Sequence, residues 1–431
     1  MSYESIEVNS NLSNKSRLWT IIQPWVICLS GSLLFFYEFI QLNIMNSLNI
    51  YLTKEFAYSP TTISTLTSIT FTSDMCLVLV AGLLLDRIST KYIIGISMSM
   101  CILGVILMAQ SHSFESFALA RLLIGMGCAF CFLSSFTLAT RWFIPSKLSY
   151  ITGIIITVGS LGGIVAQGPA IELFDKFGWR TGLLIDAVIG VLILIWMFLV
   201  IKDAPSDHPN SQHESTHKKN GIIKSLSEVL KNKQIWYAAI FASFINLAVW
   251  IICALWGIRY LMINYNMSAT EASNINSLIF LGSIIGSPII GFISDKFSLR
   301  KTIMISSGIG VTIITSVFVF CHVNTFILSI LFLMLGLLIG SQGLSYSHAA
   351  NQVSLGYKAT SSSLVSTMIV ACPSIIQPLF GFLLEIHGHS NNLQPSDFKI
   401  AFSLMISLFI IATICSLFID TKKDSQKYII H

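Results

Sequence analysis

Charge is what this sequence has least of. Only 10% of its 431 residues are Asp, Glu, Lys or Arg, and 54% are hydrophobic, whereas a soluble domain carries about 25% charged residues. With a mean hydropathy of +0.77, the chain is excluded from the ordinary soluble enzymes and nucleic-acid binders. A disulfide framework and a zinc site are also missing: the nine cysteines (Cys28, Cys76, Cys101, Cys128, Cys131, Cys253, Cys321, Cys372 and Cys415) all fall inside apolar segments, as small core side chains would. No strand precedes the glycines near Gly159 and no phosphate-cradling loop occurs, so no nucleotide, cofactor or metal is expected. No cleavable leader is expected at the N-terminus, whose polar start includes Glu4 and Glu7.

What is present is a series of apolar runs. A hydrocarbon core about 30 Å thick takes about 20 helical residues to cross, and twelve runs of suitable length occur: Pro24 to Leu48, Thr61 to Leu85, Tyr92 to Gln110, Phe117 to Thr140, Ile151 to Ile171, Thr181 to Ile201, Ile235 to Ile263, Ser273 to Ile293, Thr302 to Cys321, Phe326 to Ala350, Thr360 to Leu384 and Ala401 to Ile419. The runs are continuously apolar rather than alternating, which favours helices over barrel strands. The expected fold is therefore an all-α membrane protein of twelve transmembrane helices. The net charge of +5 reflects basic residues in short loops and means membrane orientation rather than DNA. With both termini inside, nineteen Lys and Arg fall on the cytoplasmic side and four outside (Lys54, Lys176, Arg180 and Lys399). That bias predicts an N-in, C-in topology.

The one long polar stretch lies between the sixth and seventh runs. It splits the chain into a bundle at 1–201, a cytoplasmic linker at 202–234 and a second bundle at 235–431. Ser225 to Gln234 is amphipathic enough to lie on the inner membrane surface. The linker's His208, His213 and His217 are read as solvated residues, not as a metal site.

The two halves share a loop motif. Gly82, Asp86, Arg87 and Lys91 after the second run recur as Gly291, Asp295, Lys296 and Arg300 after the eighth, at a constant offset of 209, which marks an internal duplication. Glycine allows close helix approach, and an Asp among basic residues in a tight turn can bond a neighbouring helix end in one state and release it in another. This pattern resembles the signature of the major facilitator superfamily. So do Arg121, Gly125 and Gly127 in the fourth run and Phe177-Gly178-Trp179-Arg180 opening the sixth. The resemblance implies two six-helix bundles rocking about a midplane site. A narrower resemblance, to the phagosomal amino acid and nucleoside transporters of intracellular bacteria, rests on Phe36-Tyr37-Glu38-Phe39, on the stretch from Phe130 to Ser134, on Arg141-Trp142-Phe143 and on the stretch from Gly162 to Gln167. Gly168-Pro169 suits an exporter motif, but Ile164 and Glu172 occupy positions where that motif wants glycine.

Ionisable side chains at membrane depth are costly and mark function by default. Glu38 is the leading proton carrier, with a structural carboxyl as its alternative. Arg121 is a partner for Glu38, a receiver for a solute carboxylate through its planar fork, or a tie between helices. Asp74 pairs with Arg121 or is simply packed. Asp186 is expected to snorkel outward, and Arg259 to anchor at the outer headgroups. Candidate solute contacts are Tyr37 and Gln41 in the first half, and Asn246, Trp250, Trp256, Gln342, Tyr346 and Gln377 in the second; each of these also suits simple helix glue. Pro373 and Pro378 permit a kink, and Gly159, Gly162, Gly163, Gly336, Gly340 and Gly343 allow close packing.

The reading is a secondary active transporter, not an enzyme. No set of nucleophile, base and orienting group lies at membrane depth, and the partners are a small polar solute, protons and the lipid bilayer, not nucleic acid. Proton-coupled uptake of an amino acid by a monomer in the bacterial inner membrane leads. Nucleoside import, drug or siderophore export and a transporter-fold sensor are the alternatives. Alkaline phosphatase fused after Asn210 or at the C-terminus is expected to be inactive, and fused after Ser113 active; active fusions at both of the first two sites would reverse the topology.

Overall fold

The computed structural model describes residues 14–85, 88–143, 148–203, 222–353, 358–386 and 393–420. These are almost wholly helical, with no strand among them. In chain order the long helices are α1 (Asn14–Phe56), α2 (Pro60–Leu85), α3 (Thr90–Ala109), α4 (Phe114–Cys128 and Cys131–Trp142), α5 (Leu148–Val165 and Gly168–Phe177), α6 (Trp179–Val200), α7 (Lys233–Leu247, Ala248–Trp256 and Gly257–Tyr265), α8 (Ala269–Phe297), α9 (Arg300–Phe320), α10 (Thr325–Ile339, Gly340–Gln342 and Gly343–Asn351), α11 (Lys358–Glu385) and α12 (Pro395–Leu417). A shorter helix, Ile222–Lys231, ends the linker and buries Val229 with Ile235, Ala239 and Val365 of the second half.

Among the described residues, eleven of the helices are long and apolar enough to cross a membrane. The first part of α2 carries Thr61, Thr62, Ser64, Thr65, Thr67, Ser68, Thr70, Thr72, Ser73 and Asp74, and several of these hydroxyls donate back into the helix: Thr65 to the Thr61 carbonyl at 2.8 Å and Thr67 to that of Ile63 at 2.9 Å.

Helix ends follow local chemistry. Ser268 opens α8 with a reciprocal cap, its hydroxyl accepting the Glu271 N–H at 3.2 Å while the Glu271 carboxylate accepts the Ser268 N–H at 3.0 Å. Asn324 caps α10 by accepting from Ile327 at 2.8 Å. Pro373 and Pro378 lie within an α11 that remains one continuous helix.

Burial ranks the helices from centre to rim. The apolar window of α7 is 89% buried inside the protein, and that of α6 only 28%. Accordingly α6 turns Val188, Leu192 and Leu199 outward, as a helix facing lipid tails does. The halves meet along α1 with α7, α2 with α11 and α5 with α8. Cys76 and Cys321 are exposed, so the expectation of nine core cysteines fails for those two; all nine are free thiols.

Glycines set the closest approaches. Gly282 and Gly286 of α8 face Gly336 and Gly340 of α10, and a Cβ on Gly336 would lie 2.0 Å from the Ile279 carbonyl oxygen. Two small-residue pairs four apart thus let the backbones touch. Gly162 does the same for α5 against α1, 2.0 Å from the Phe36 carbonyl oxygen. Gly343 and Gly291, by contrast, face open space, so the close-packing role expected of them is corrected. Gly336→Ala is therefore expected to cost about 1–3 kcal/mol through overpacking, and Gly343→Ala to be near neutral. Thermal unfolding in detergent separates the two, and equal losses would refute the packing account.

Candidate functional site

The polar interior of the first half is assembled from α1, α2, α4 and α6. Arg121 is fully buried, and its Nη1 donates to the Gln41 carbonyl at 2.9 Å. Thr70 of α2 donates to the Arg121 carbonyl at 3.1 Å, fixing the backbone beneath it. The other guanidinium nitrogens, Nε and Nη2, have no hydrogen-bond partner. Glu38 is also buried, with Oε2 unpartnered. Neither Glu38 nor Asp74 forms an ion pair with Arg121, so the pairing expected between them is absent in this conformation. An unmatched charged group in a dry interior is costly until it is paired.

Three sequence expectations are corrected nearby. Asp186 does not snorkel. It is 9% exposed and accepts from Gln41 Nε2 at 2.6 Å, the inward amide satisfying a carboxylate that burial would otherwise leave unpaired. Gln41 is accordingly turned toward α6. So is Tyr37, whose hydroxyl lies 3.4 Å from the Asp186 carbonyl oxygen and presses on Gly190. Neither points to the interface between halves.

That interface holds an aromatic cluster. The Phe39 ring of α1 lies 6.0 Å from Trp250 of α7 and 6.5 Å from Phe280 of α8, and Trp250 lies 5.0 Å from Phe71 of α2. Trp250 is buried with its indole N–H unpartnered. Gln377 of α11 donates to the Trp250 carbonyl at 2.9 Å, leaving its own Oε1 unpartnered. An apolar wall with one idle donor and one idle acceptor is a frame for a small polar solute. Glu38 is the neighbour of Phe39 in sequence, and Asn246, buried, lies one turn before Trp250. Tyr346 of α10 receives a bond from Ser366 at 3.3 Å, and Gln342 sits in the tight turn of the same helix. Trp256 is not at this level: its indole donates to Ser64 of α2 at 3.1 Å, toward the far end of α7.

Reasoning from sequence missed the groups that hold that end. Asn46 and Asn49 of α1, Gln167 at the break in α5 and Asn276 of α8 form a buried amide network across the halves. Arg259 joins it by donating to Asn49 at 3.2 Å and to Thr53, rather than anchoring at headgroups. A signal was available: Gln41, Asn43, Asn46 and Asn49 crowd amides into one apolar helix.

Of the duplicated loop, Asp86, Arg87 and the Asp295 side chain lie outside the described residues, as do the linker histidines His208, His213 and His217. The Lys91 N–H donates to Asp203 at 2.9 Å, and Arg141 of α4 donates to Thr90 at 2.9 Å and to the Leu85 carbonyl at the end of α2. In the second copy Lys296 lies over the Phe292 and Phe297 rings. Gly82 falls in the last turn of α2, and Arg300 opens α9.

Two sets of membrane helices joined by a linker, with unpaired polar groups between them, define a membrane transporter. A family model for the Major Facilitator Superfamily matches residues 28–260 and 243–428, and the chain belongs to that family. Among curated proteins it is 26% identical to a probable transporter, MCH2, of Saccharomyces cerevisiae over 70% of this chain and 62% of that one. It is 22% identical to a probable L-galactonate transporter of Escherichia coli over 57% and 56%, and 24% identical to a probable hexose phosphate transport protein of Chlamydia trachomatis over 62% and 66%. The chain thus spans between half and two thirds of these relatives' lengths. Of solved structures, a bacterial homologue of the human lysosomal transporter Spinster, inward-facing and occupied, matches with a TM-score of 0.72 at 15% identity over 92% of this chain and 96% of that one. The nucleoside transporter NupG matches with a TM-score of 0.71 at 14% identity over 91% and 98%. Both likenesses establish the fold alone.

Trp250→Phe keeps the ring and deletes the idle donor. It is expected to raise KM for the transported solute about three- to tenfold, the worth of one hydrogen bond, with unchanged thermal stability; an unchanged KM would remove Trp250 from the solute site.

Proposed function

We propose that the protein is a proton-coupled importer of a small solute bearing one carboxylate, such as an amino acid, working as a monomer in a bacterial inner membrane with all twelve long helices spanning and both termini inside. The observation that carries this reading is Arg121: fully buried, with two donor nitrogens unpartnered and no carboxylate paired to it. A planar guanidinium with a free edge matches a carboxylate in shape and charge. The L-galactonate and hexose phosphate relatives are named for anionic solutes, which accords with an anion receiver. A single interior Arg suits one negative charge better than a polyanion.

Glu38 and Asp74 are the proton carriers in this scheme. Both are buried on helices adjoining Arg121, and with neither tied to it a proton can bind without first breaking an ion pair. Phe39, Phe71, Trp250 and Phe280 wall the solute, while Gln377 and the Trp250 N–H take its neutral polar groups. Alternating access arises as the halves rock about this level. The narrower likeness to phagosomal amino acid and nucleoside transporters fits the same solute size.

The test uses purified protein in liposomes with an imposed inward proton gradient and a pool of labelled amino acids, other monocarboxylates and nucleosides. Accumulation of a carboxylate, abolished by a protonophore and by Glu38→Gln and reduced at least about a hundredfold by Arg121→Ala, is expected. Arg121→Lys keeps the charge without the fork and is expected to recover only part. Uptake of nucleosides alone, with Arg121→Ala unimpaired, would sink the carboxylate reading, and accumulation untouched by Glu38→Gln would sink its coupling role.

A further inference from the structure

The middle of α7 is not an α-helix. From Ala248 to Trp256 its turns are π-helical, and the Gly257 N–H reaches back five residues to the Ile252 carbonyl. Widened turns of this kind turn carbonyls away from their usual partners and recur at functional sites in membrane and soluble helices. Here the displaced carbonyls are taken up by the other half of the molecule. Asn46 Nδ2 donates to the Ile252 carbonyl at 3.0 Å and to that of Cys253 at 2.7 Å, and Asn46 Oδ1 accepts the Ile258 N–H at 3.2 Å. Gln167 Nε2 donates to the Cys253 carbonyl at 2.9 Å, and Asn49 Nδ2 to the Leu255 carbonyl at 3.1 Å. Asn276 of α8 completes the set by donating to Gln167 Oε1 at 2.9 Å.

We propose that the Asn46, Asn49 and Gln167 amides form a clamp on the π-helical segment of α7, so that this end of the transporter opens only when the segment gives up its π turns. Inside a membrane the Cys253 and Leu255 carbonyls have no water to turn to once these amide donors move away. When the halves separate here, the carbonyls regain partners only if the segment rewinds to α-helix, which shifts the register of the residues beyond it by one. Trp250 lies in the same segment, with its carbonyl held by Gln377, so the rewinding reaches the solute level. Gly257 makes the π turn possible: a Cβ there would lie 2.3 Å from Asn276 Oδ1 and 2.4 Å from the Ile252 carbonyl oxygen. The clamp rests only on the transporter class of the chain, not on its solute, coupling ion or orientation.

Pulsed electron resonance distances across this end test it. Spin labels are placed at Glu115→Cys on the α3–α4 side and at the exposed native Cys321 at the end of α9, with Cys76 and Cys415 changed to Ala, in full-length protein in nanodiscs. The expected wild-type result is a dominant short distance. Asn46→Ala with Gln167→Ala is expected to move the equilibrium about ten- to a hundredfold toward a longer distance, the effect of losing one or two buried hydrogen bonds. Gly257→Ala, which leaves the amides but blocks the π turn, is expected to do the same. Should the double variant fail to fold, Asn46→Asp, isosteric but without the donor, decides the matter with Gly257→Ala. Wild-type distances unchanged in these folded variants, or a wild type already dominated by the long distance, would overturn the clamp.

Discussion

A backbone carbonyl inside a bilayer must be bonded by protein, and most of this structure depends on where that rule is kept locally and where it is kept at a distance. Along most of its length each helix satisfies itself, which is why charge is so scarce and why the rim helices turn only methyls and rings outward. In α7 the rule is kept at a distance. Carbonyls of its π-helical middle accept bonds from the amides of α1 and α5, which join it to the first half of the chain.

The charged groups around Arg121 come from the first half, and the polar groups around Trp250 are neutral. Glu38, Asp74, Arg121 and Asp186 are all buried in the first half, while Trp250, Gln377 and Tyr346 present an indole, an amide and a phenol in the second. Arg121 is held through its backbone by Thr70 and through one nitrogen by Gln41, so its position is fixed while most of its hydrogen-bonding capacity stays uncommitted.

Much of the fold was legible because helical runs of the right length have one meaning in a chain this apolar, and because the loop motif repeats at a fixed offset. Of the candidate site, Trp250, Gln377, Arg121 and Glu38 were visible as polar groups in apolar runs. Tyr37, Gln41 and Trp256 were visible for the same reason but are directed elsewhere, because sequence gives depth in a helix and not the face it turns to a partner 100 or more residues away. The amides of α1 were passed over since neutral side chains carry no charge to draw attention, yet they bridge more than 200 residues of chain. Arg259 was assigned to the headgroups on its position near a helix end, when Asn49 and Thr53 offered it neutral partners within reach.

The bonds that Asn46, Asn49 and Gln167 donate to α7 join uncharged amides to uncharged carbonyls. Dissolved ions screen interactions between charges and leave such contacts largely alone, and neither partner gains or loses a proton in the range that cells tolerate. The strength of this closure is therefore set by geometry and dryness rather than by the medium. A move from dilute to briny surroundings, or from neutral to acidic ones, leaves these amide bonds largely as they were.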